Sequence, residues 1–360
     1  MTPCPTLSVV LPNYNHAKYI GRALGTLLAQ ERAADEIIVI DDGSKDDSLA
    51  VIEKFATGAP SIKVLINSKN RGVVPTLERG LQAARGKYIY FAASDDWVLP
   101  GFFDTALRRL EVNSDLGLFC GDALLVDGST NQVLSVRPSV RPILCGGRVS
   151  ASRVERLLRA SDNWILTGSA VLRRDCALWG GGFDERLSSF ADGFLVRKII
   201  LRFGFFFEPR LVSAWAVMPN SVSRASAADP QRAEYMLDVV PRVVAADPVF
   251  PQWYADAYRN RWRFATCRLA LNAERIDRQF LLAMGSRSAN ERAKMERLLA
   301  LPGREFARLL ILMRLWRLFR PTSLTGILLT MLWRRAERIW RWGRFFGAQH
   351  NSAENPASSP

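Results

Sequence analysis

Four short apolar runs recur through roughly the first hundred positions, and they limit the fold more than any other feature of the chain. They are residues 7–11 (Leu-Ser-Val-Val-Leu), 36–40 (Glu-Ile-Ile-Val-Ile), 63–66 and 88–92 (Tyr-Ile-Tyr-Phe-Ala). Each is short, β-branched or aromatic, and free of breakers, so each reads as a buried strand. Pro12 is expected to end the first. Helical spacing fills the gaps. In 17–30, Ile20, Leu24, Leu27 and Leu28 share one face. The acidic turn from Asp41 to Asp47 can cap a helix over 48–57. Asn70-Arg71-Gly72 leads into a helix ending near Ala84. Alternating strands and helices predict an α/β fold, a mostly parallel sheet with helices on both faces.

In such a sheet, ligands sit beyond the carboxyl ends of the strands. Those ends carry Pro12, Asn13, Tyr14 and Asn15 after the first strand, Asp41 and Asp42 after the second, and Asp95 and Asp96 after the fourth. A ring for stacking, a carboxylate for a base or ribose, and an acid pair for a divalent cation together describe a nucleotide-diphosphate site. The sequence has no glycine fingerprint of a dinucleotide fold after the first strand and no P-loop, so neither chemistry is supported.

Composition narrows the classes further. Five scattered cysteines and two histidines, His16 and His350, exclude a disulfide frame, a zinc site and a His-rich metal site. No charged-then-apolar leader pattern opens the chain, so it is expected to stay in the cytoplasm. The formal charge is +14, and residues 287–347 hold 14 Lys and Arg against 4 Asp and Glu. The catalytic candidates therefore lie in a nearly neutral region ahead of a basic end.

The motifs, taken in order, resemble glycosyltransferase family 2. They are Ser8-Val-Val-Leu-Pro-Asn-Tyr-Asn15, Glu36-Ile-Ile-Val-Ile-Asp-Asp-Gly-Ser44, Asn70-Arg-Gly72, Gly86-Lys-Tyr-Ile-Tyr-Phe-Ala-Ala-Ser-Asp-Asp-Trp97, Gly180-Gly-Gly-Phe-Asp-Glu185 and Ala191-Asp192, across about residues 6–224. The resemblance implies a GT-A fold, a nucleotide-diphosphate sugar donor and transfer with inversion. It places Pro12 and Tyr14 along the base, Asp42 on the base, Asp95 on the ribose, and Asp96 on a divalent cation, Mg2+ or Mn2+. Asp192 takes the general-base position; its other reading is a helix N-cap. Trp164, Asp184 and Glu185 are acceptor-side candidates, with Trp164 equally readable as a core aromatic. Glycines 180–182 would let backbone approach a ligand closely. The chain departs from the pattern at Ala93, where many members have Asp, at Ala191, where many have Glu, and at Ala216 and Met218, where members often have Arg and His.

The resulting division is a transferase domain over 1–225, a helical extension over 226–303, basic amphipathic helices over 304–347 and a disordered tail over 348–360. Neither apolar run in 304–347 reaches the ~20 residues of a membrane span. In the second, Leu332, Ala336, Ile339, Trp340, Gly343 and Phe346 share one face, and Arg334, Arg338 and Arg341 another. That pattern predicts a helix lying in the interface of an anionic membrane. No nucleic-acid motif accompanies the charge. The expectation is an inverting transferase, peripheral on the inner face of the cell membrane, acting on a lipid-linked or cell-surface glycan. The rival is a non-catalytic nucleotide-sugar-binding scaffold subunit.

Overall fold

The computed structural model describes residues 6–353, apart from 163, 166, 219–220 and 274–275. Ten strands form one sheet. They are β1 (Leu7–Asn13), β2 (Glu36–Asp41), β3 (Ile62–Ile66), β4 (Tyr88–Phe91), β5 (Trp97–Val98), β6 (Leu118–Asp127), β7 (Val133–Arg137), β8 (Gly147–Val149), β9 (Ala170–Arg173) and β10 (Phe205–Val217). The order is β3-β2-β1-β4-β9-β6-β10-β5, with β7 on β6 and β8 on β10. The first four strands pair in parallel, β9 runs antiparallel between β4 and β6, and β10 returns parallel to β6.

Alternate residues on these strands feed two cores. Leu7, Val9, Leu11, Ile37, Val39, Tyr88 and Tyr90 pack against helices Ala17–Leu28, Ser48–Gly58 and Phe102–Val112. Val10, Ile38, Ile40, Ile89 and Phe91 pack on the other side, against helices Val73–Ala83, Ala151–Ala160 and Ala191–Phe203. A parallel sheet covered on both faces needs apolar residues at every position, which is why the runs look continuous. Gly80 brings its helix close to the sheet: a Cβ there would lie 2.2 Å from Val10 Cγ1.

Pro12 does not end β1, which continues to Asn13. Pairing with β4 stops at Val10, so Pro12 has a strand on one side only. A missing N–H is tolerated at such an edge.

The segment 226–303 is not set apart from the sheet. Met236, Val240, Val244 and Tyr254, from helices Pro230–Ala246 and Tyr254–Asn272, belong to the same core as Val10 and Ile89. A third core joins Cys267, Leu271, Leu281 and Met295 to Ile311, Leu315 and Phe319. Helix Arg304–Phe319 therefore packs one face on its own domain, where a membrane-facing helix was expected. The side left exposed carries Phe306, Leu309 and Met313.

Helix Leu324–Ala353 docks the other way round. Three of its polar residues turn inward, while Arg335 and Arg338 stay exposed: Thr330 is 1% exposed, and Arg334 and Glu337 bond to Asp122 and Arg141. Its apolar residues turn outward, with Leu324, Leu328, Met331 and Leu332 all more than half exposed. Arg334, expected on an outer charged face, instead turns inward, partly buried, to pair with Asp122 of the sheet. The side chains of Ile339, Trp340, Arg341, Gly343 and Phe346 lie outside the described residues. The helix also runs through 348–353, where a disordered tail was expected, since no proline interrupts it before Pro356.

Candidate active site

The ends of β1, β4, β6 and β10 and the start of helix Ala191–Phe203 enclose a cleft of about 400 Å3. Pro12, Ala93, Asp96, Thr167, Asp192 and Trp215 are among its walls. Two of the expected acids thus meet in one cavity, although they lie far apart in sequence.

Asp96 is held from β10: its Oδ1 accepts the Ala216 N–H at 2.8 Å. Burial first, and then the neighbouring Asp95 charge, push its carboxyl well above the usual range. Burial also raises Asp95, against the pull of His16 and Arg22. Arg22 reaches this corner from helix Ala17–Leu28. Its guanidinium stacks 3.7 Å from the Trp97 ring centroid and donates to the Asp95 carbonyl at 3.0 Å. His16 Nδ1 lies 2.6 Å from Ser94 Oγ.

Asp192 stands in the first turn of its helix, not at the N-cap, which is Phe190. Its Oδ1 accepts the Gly193 N–H at 2.6 Å and its Oδ2 accepts the Thr167 hydroxyl at 2.8 Å. Behind it, Arg197 donates to the Gly193 carbonyl and, at 2.5 Å, to the Asp162 carbonyl. Burial opposes the Arg197 charge, but Tyr254, Asp162 and Asp192 offset it and hold the guanidinium above its ordinary value. Asp162 also pairs with Arg261 at 3.0 Å and accepts from Tyr254 Oη at 2.7 Å. The helix carrying Asp192 is thereby pinned to the extension.

The remaining expected residues are placed differently. Asp42 is buried outside the cleft lining. Its Oδ1 accepts from Asn67 Nδ2 and the Arg71 N–H, and its Oδ2 from the Gly72 N–H. The carboxylate fixes the turn that starts helix Val73–Ala83. Tyr14 is 40% exposed beside the end of β1, outside the lining.

Trp164 is corrected outright. It is 1% exposed, stacks on Phe205 at 4.8 Å and donates Nε1 to the Ser161 carbonyl. No sugar reaches a ring buried in the core. Asp184 and Glu185 also lie off the cleft: Asp184 pairs with Arg186 beside a second cavity, and Glu185 is on the surface. Of the glycines before them, Gly180 and Gly182 pack closely on neighbours, and a Cβ on Gly180 would lie 2.6 Å from Leu195 Cδ1. Gly182 has φ +69°, a Cβ there would meet Glu78 Oε2 at 2.2 Å, and Glu78 accepts the Phe183 N–H.

Thr167, Arg197 and Trp215 were not foreseen. Ser213 and Trp215 lie two apart on β10 and both reach the cleft. That alternation was the available signal.

Residues 8–134 match the model described as glycosyl transferase family 2. That stretch is a glycosyl transferase family 2 domain. An uncharacterized protein of Mycobacterium tuberculosis is 31% identical over 213 residues, 58% of this chain and 66% of that protein. An uncharacterized glycosyltransferase of Nostoc is 38% identical over 171 residues, 47% and 51% of the two chains. A chondroitin synthase of Escherichia coli is 33% identical over 116 residues, 32% of this chain and 16% of the synthase. The matches thus span two thirds or less of these relatives. Among solved structures, Staphylococcus aureus TarS (residues 1–349) with UDP-GlcNAc matches with TM-score 0.59 at 16% identity, over 86% of this chain and 89% of that one. A mannosyltransferase of Pyrobaculum calidifontis with GDP-Man and Mn2+ matches with TM-score 0.54 at 18% identity, over 92% and 88%. The chain therefore has the expected GT-A-like fold, with a helical C-terminal region.

The acid pair suits a hard divalent cation. Two adjacent carboxylates sit where burial disfavours their charge, and a cation would relieve both. Among the described residues no three His, Cys, Asp or Glu side chains converge as a metal cage. Such an ion would draw its remaining ligands from diphosphate and water.

Proposed function

We propose that the chain transfers a sugar from a nucleotide-diphosphate donor to an acceptor hydroxyl, with inversion and with Asp192 as general base. The observation that carries this reading is the single cleft shared by Asp96 and Asp192, whose carboxylate is already oriented by Thr167. The donor diphosphate lies at the Asp95–Asp96 end. Asp96, with Asp95 beside it, would hold a divalent cation there, which would supply positive charge for the departing nucleoside diphosphate. The acceptor oxygen attacks the anomeric carbon from the opposite side. Its proton passes to Asp192, and the bond to the diphosphate breaks with its electron pair on the leaving oxygen. Trp215, which lines the cleft, offers an indole face as the sugar platform that Trp164 does not provide.

The acceptor is a lipid-linked or surface glycan, reached from a membrane. Support comes from the helix Leu324–Ala353, whose polar side is bonded to the domain and whose apolar side faces out. A helix packed only for a soluble fold has the reverse arrangement. Among the described residues no helix is long and apolar enough to cross a membrane, so this helix lies along the surface.

A transfer assay over a panel of nucleotide sugars tests the reading. Asp192→Asn is expected to lower turnover by about 10²–10⁴ while the donor still raises the melting temperature. Turnover at the wild-type rate overturns the assignment of the base.

A further inference from the structure

A third cavity, of about 430 Å3, lies between β6, β10 and the helix Leu324–Ala353 and shares no lining residue with the cleft. It is separated from the cleft by one step of β6: Ala123 lines the cleft and Asp122 the third cavity. Four arginines surround this cavity, Arg141, Arg210, Arg334 and Arg338, with only Asp122 and Glu337 to balance them.

Both carboxylates are already engaged. Arg141 Nη2 reaches Asp122 Oδ2 at 2.6 Å and Arg141 Nη1 reaches Glu337 Oε1 at 2.8 Å. Arg334 Nη2 donates to Asp122 Oδ1 at 3.0 Å. Arg210 donates only to the Thr105 hydroxyl and the Pro100 carbonyl. Arg338 is exposed, and neither it nor Arg210 has a carboxylate partner among the described residues. The Arg334 Nε is buried without a hydrogen-bond partner. Next to the cavity, Arg137 donates to Ser139 and leaves its own Nε unpartnered. Burial, and then Arg268 and Arg334, draw the Arg137 guanidinium below its ordinary value. The positive charge here exceeds what the protein itself neutralises.

We propose that this cavity binds a phosphate group. Guanidinium forks match phosphate oxygens in geometry and charge. Two arginines without carboxylates suit a doubly charged anion, and the volume admits a headgroup-sized molecule. The group can belong to an anionic lipid or be free phosphate. The lipid source deepens the membrane reading given above, because Leu328, Met331, Leu332 and Trp333 stand exposed on the same helix shortly before Arg334 and Arg338. Neither source depends on the chemistry of the cleft.

The test uses the full chain in two arms. In the first, inorganic phosphate is titrated at constant ionic strength and the melting temperature is followed. In the second, flotation is measured on phosphatidylcholine vesicles with and without phosphatidic acid. Arg338→Glu reverses an exposed, unpaired charge and should leave the fold intact. It is expected to weaken phosphate-dependent binding about tenfold, whereas Asp96→Ala, in the other cavity, leaves it unchanged. Loss in the vesicle arm identifies a lipid headgroup, and loss in the inorganic arm alone identifies free phosphate. If Arg338→Glu matches wild type in both arms, or if Asp96→Ala removes the phosphate effect, the site does not exist.

Discussion

The Thr167 hydroxyl donates to Asp192 Oδ2 at 2.8 Å in the cleft that Asp96 also lines. The two residues come from different elements, a short helical turn before β9 and the first turn of helix Ala191–Phe203. A carboxylate with one oxygen tied to its own helix and the other to Thr167 has little rotational freedom. Thr167→Val keeps the shape and removes the donor. It should lower kcat roughly tenfold, the worth of one hydrogen bond to a charged group, and leave KM for the donor nearly unchanged. Steady-state kinetics check both.

The acid pair gives a pH prediction with a definite sign. The folded-state pKa of Asp96 lies above its unfolded value, so between the two the folded protein binds more protons than the unfolded chain. Its contribution to stability therefore falls as pH rises through that window. Without divalent cation, Asp96→Asn should melt higher than wild type above the window, since it keeps an oxygen for the Ala216 N–H and carries no charge. Added Mn2+ should stabilise wild type more as pH rises and should leave Asp96→Asn unaffected. Melting curves across pH, with and without the ion, decide the matter.

Asp122 is shared by two guanidiniums, the buried Arg141 and the partly buried Arg334. Asp122→Ala leaves both without their acid and should cost about 3–5 kcal/mol, read as a fall in the urea midpoint. Asp122→Asn should cost less, because it retains an acceptor.

The two tryptophans should separate by readout. Trp164→Ala opens a cavity beside Phe205 and should cost about 3–5 kcal/mol in stability. Trp215→Ala should leave the melting temperature close to wild type, as its ring is partly exposed, and should raise KM for a sugar ligand by about tenfold. Thermal melts and kinetics on the same samples give the comparison.

The outward apolar face of the last helix predicts the effect of charge placed on it. Leu328→Glu with Leu332→Glu should abolish flotation on anionic vesicles without lowering the melting temperature, since both side chains are exposed. Unchanged flotation would show that this face does not meet lipid.

Much of this protein follows from local pattern. Apolar runs at 7–11, 36–40 and 88–92 specify strands because only a doubly covered parallel sheet can bury every residue of such runs. Polar residues at their ends specify where a ligand sits, because parallel strands all end along one edge. Asp96 and Asp192 were legible through their place in the family pattern. What the pattern could not carry was which side chain faces which neighbour. Trp164 stands in a connection and Trp215 on β10; the stacking of Phe205 on Trp164 makes the first a core residue, while the second lines the cleft. Asp42 is acidic at a strand end like Asp96, yet three donors from Asn67, Arg71 and Gly72 consume it. Helix Leu324–Ala353 has an amphipathic sequence whichever way it docks, and the pairing of Arg334 with Asp122 turns its apolar side outward. Periodicity is a property of the chain alone, while partnership between distant groups exists only once the chain has closed on itself.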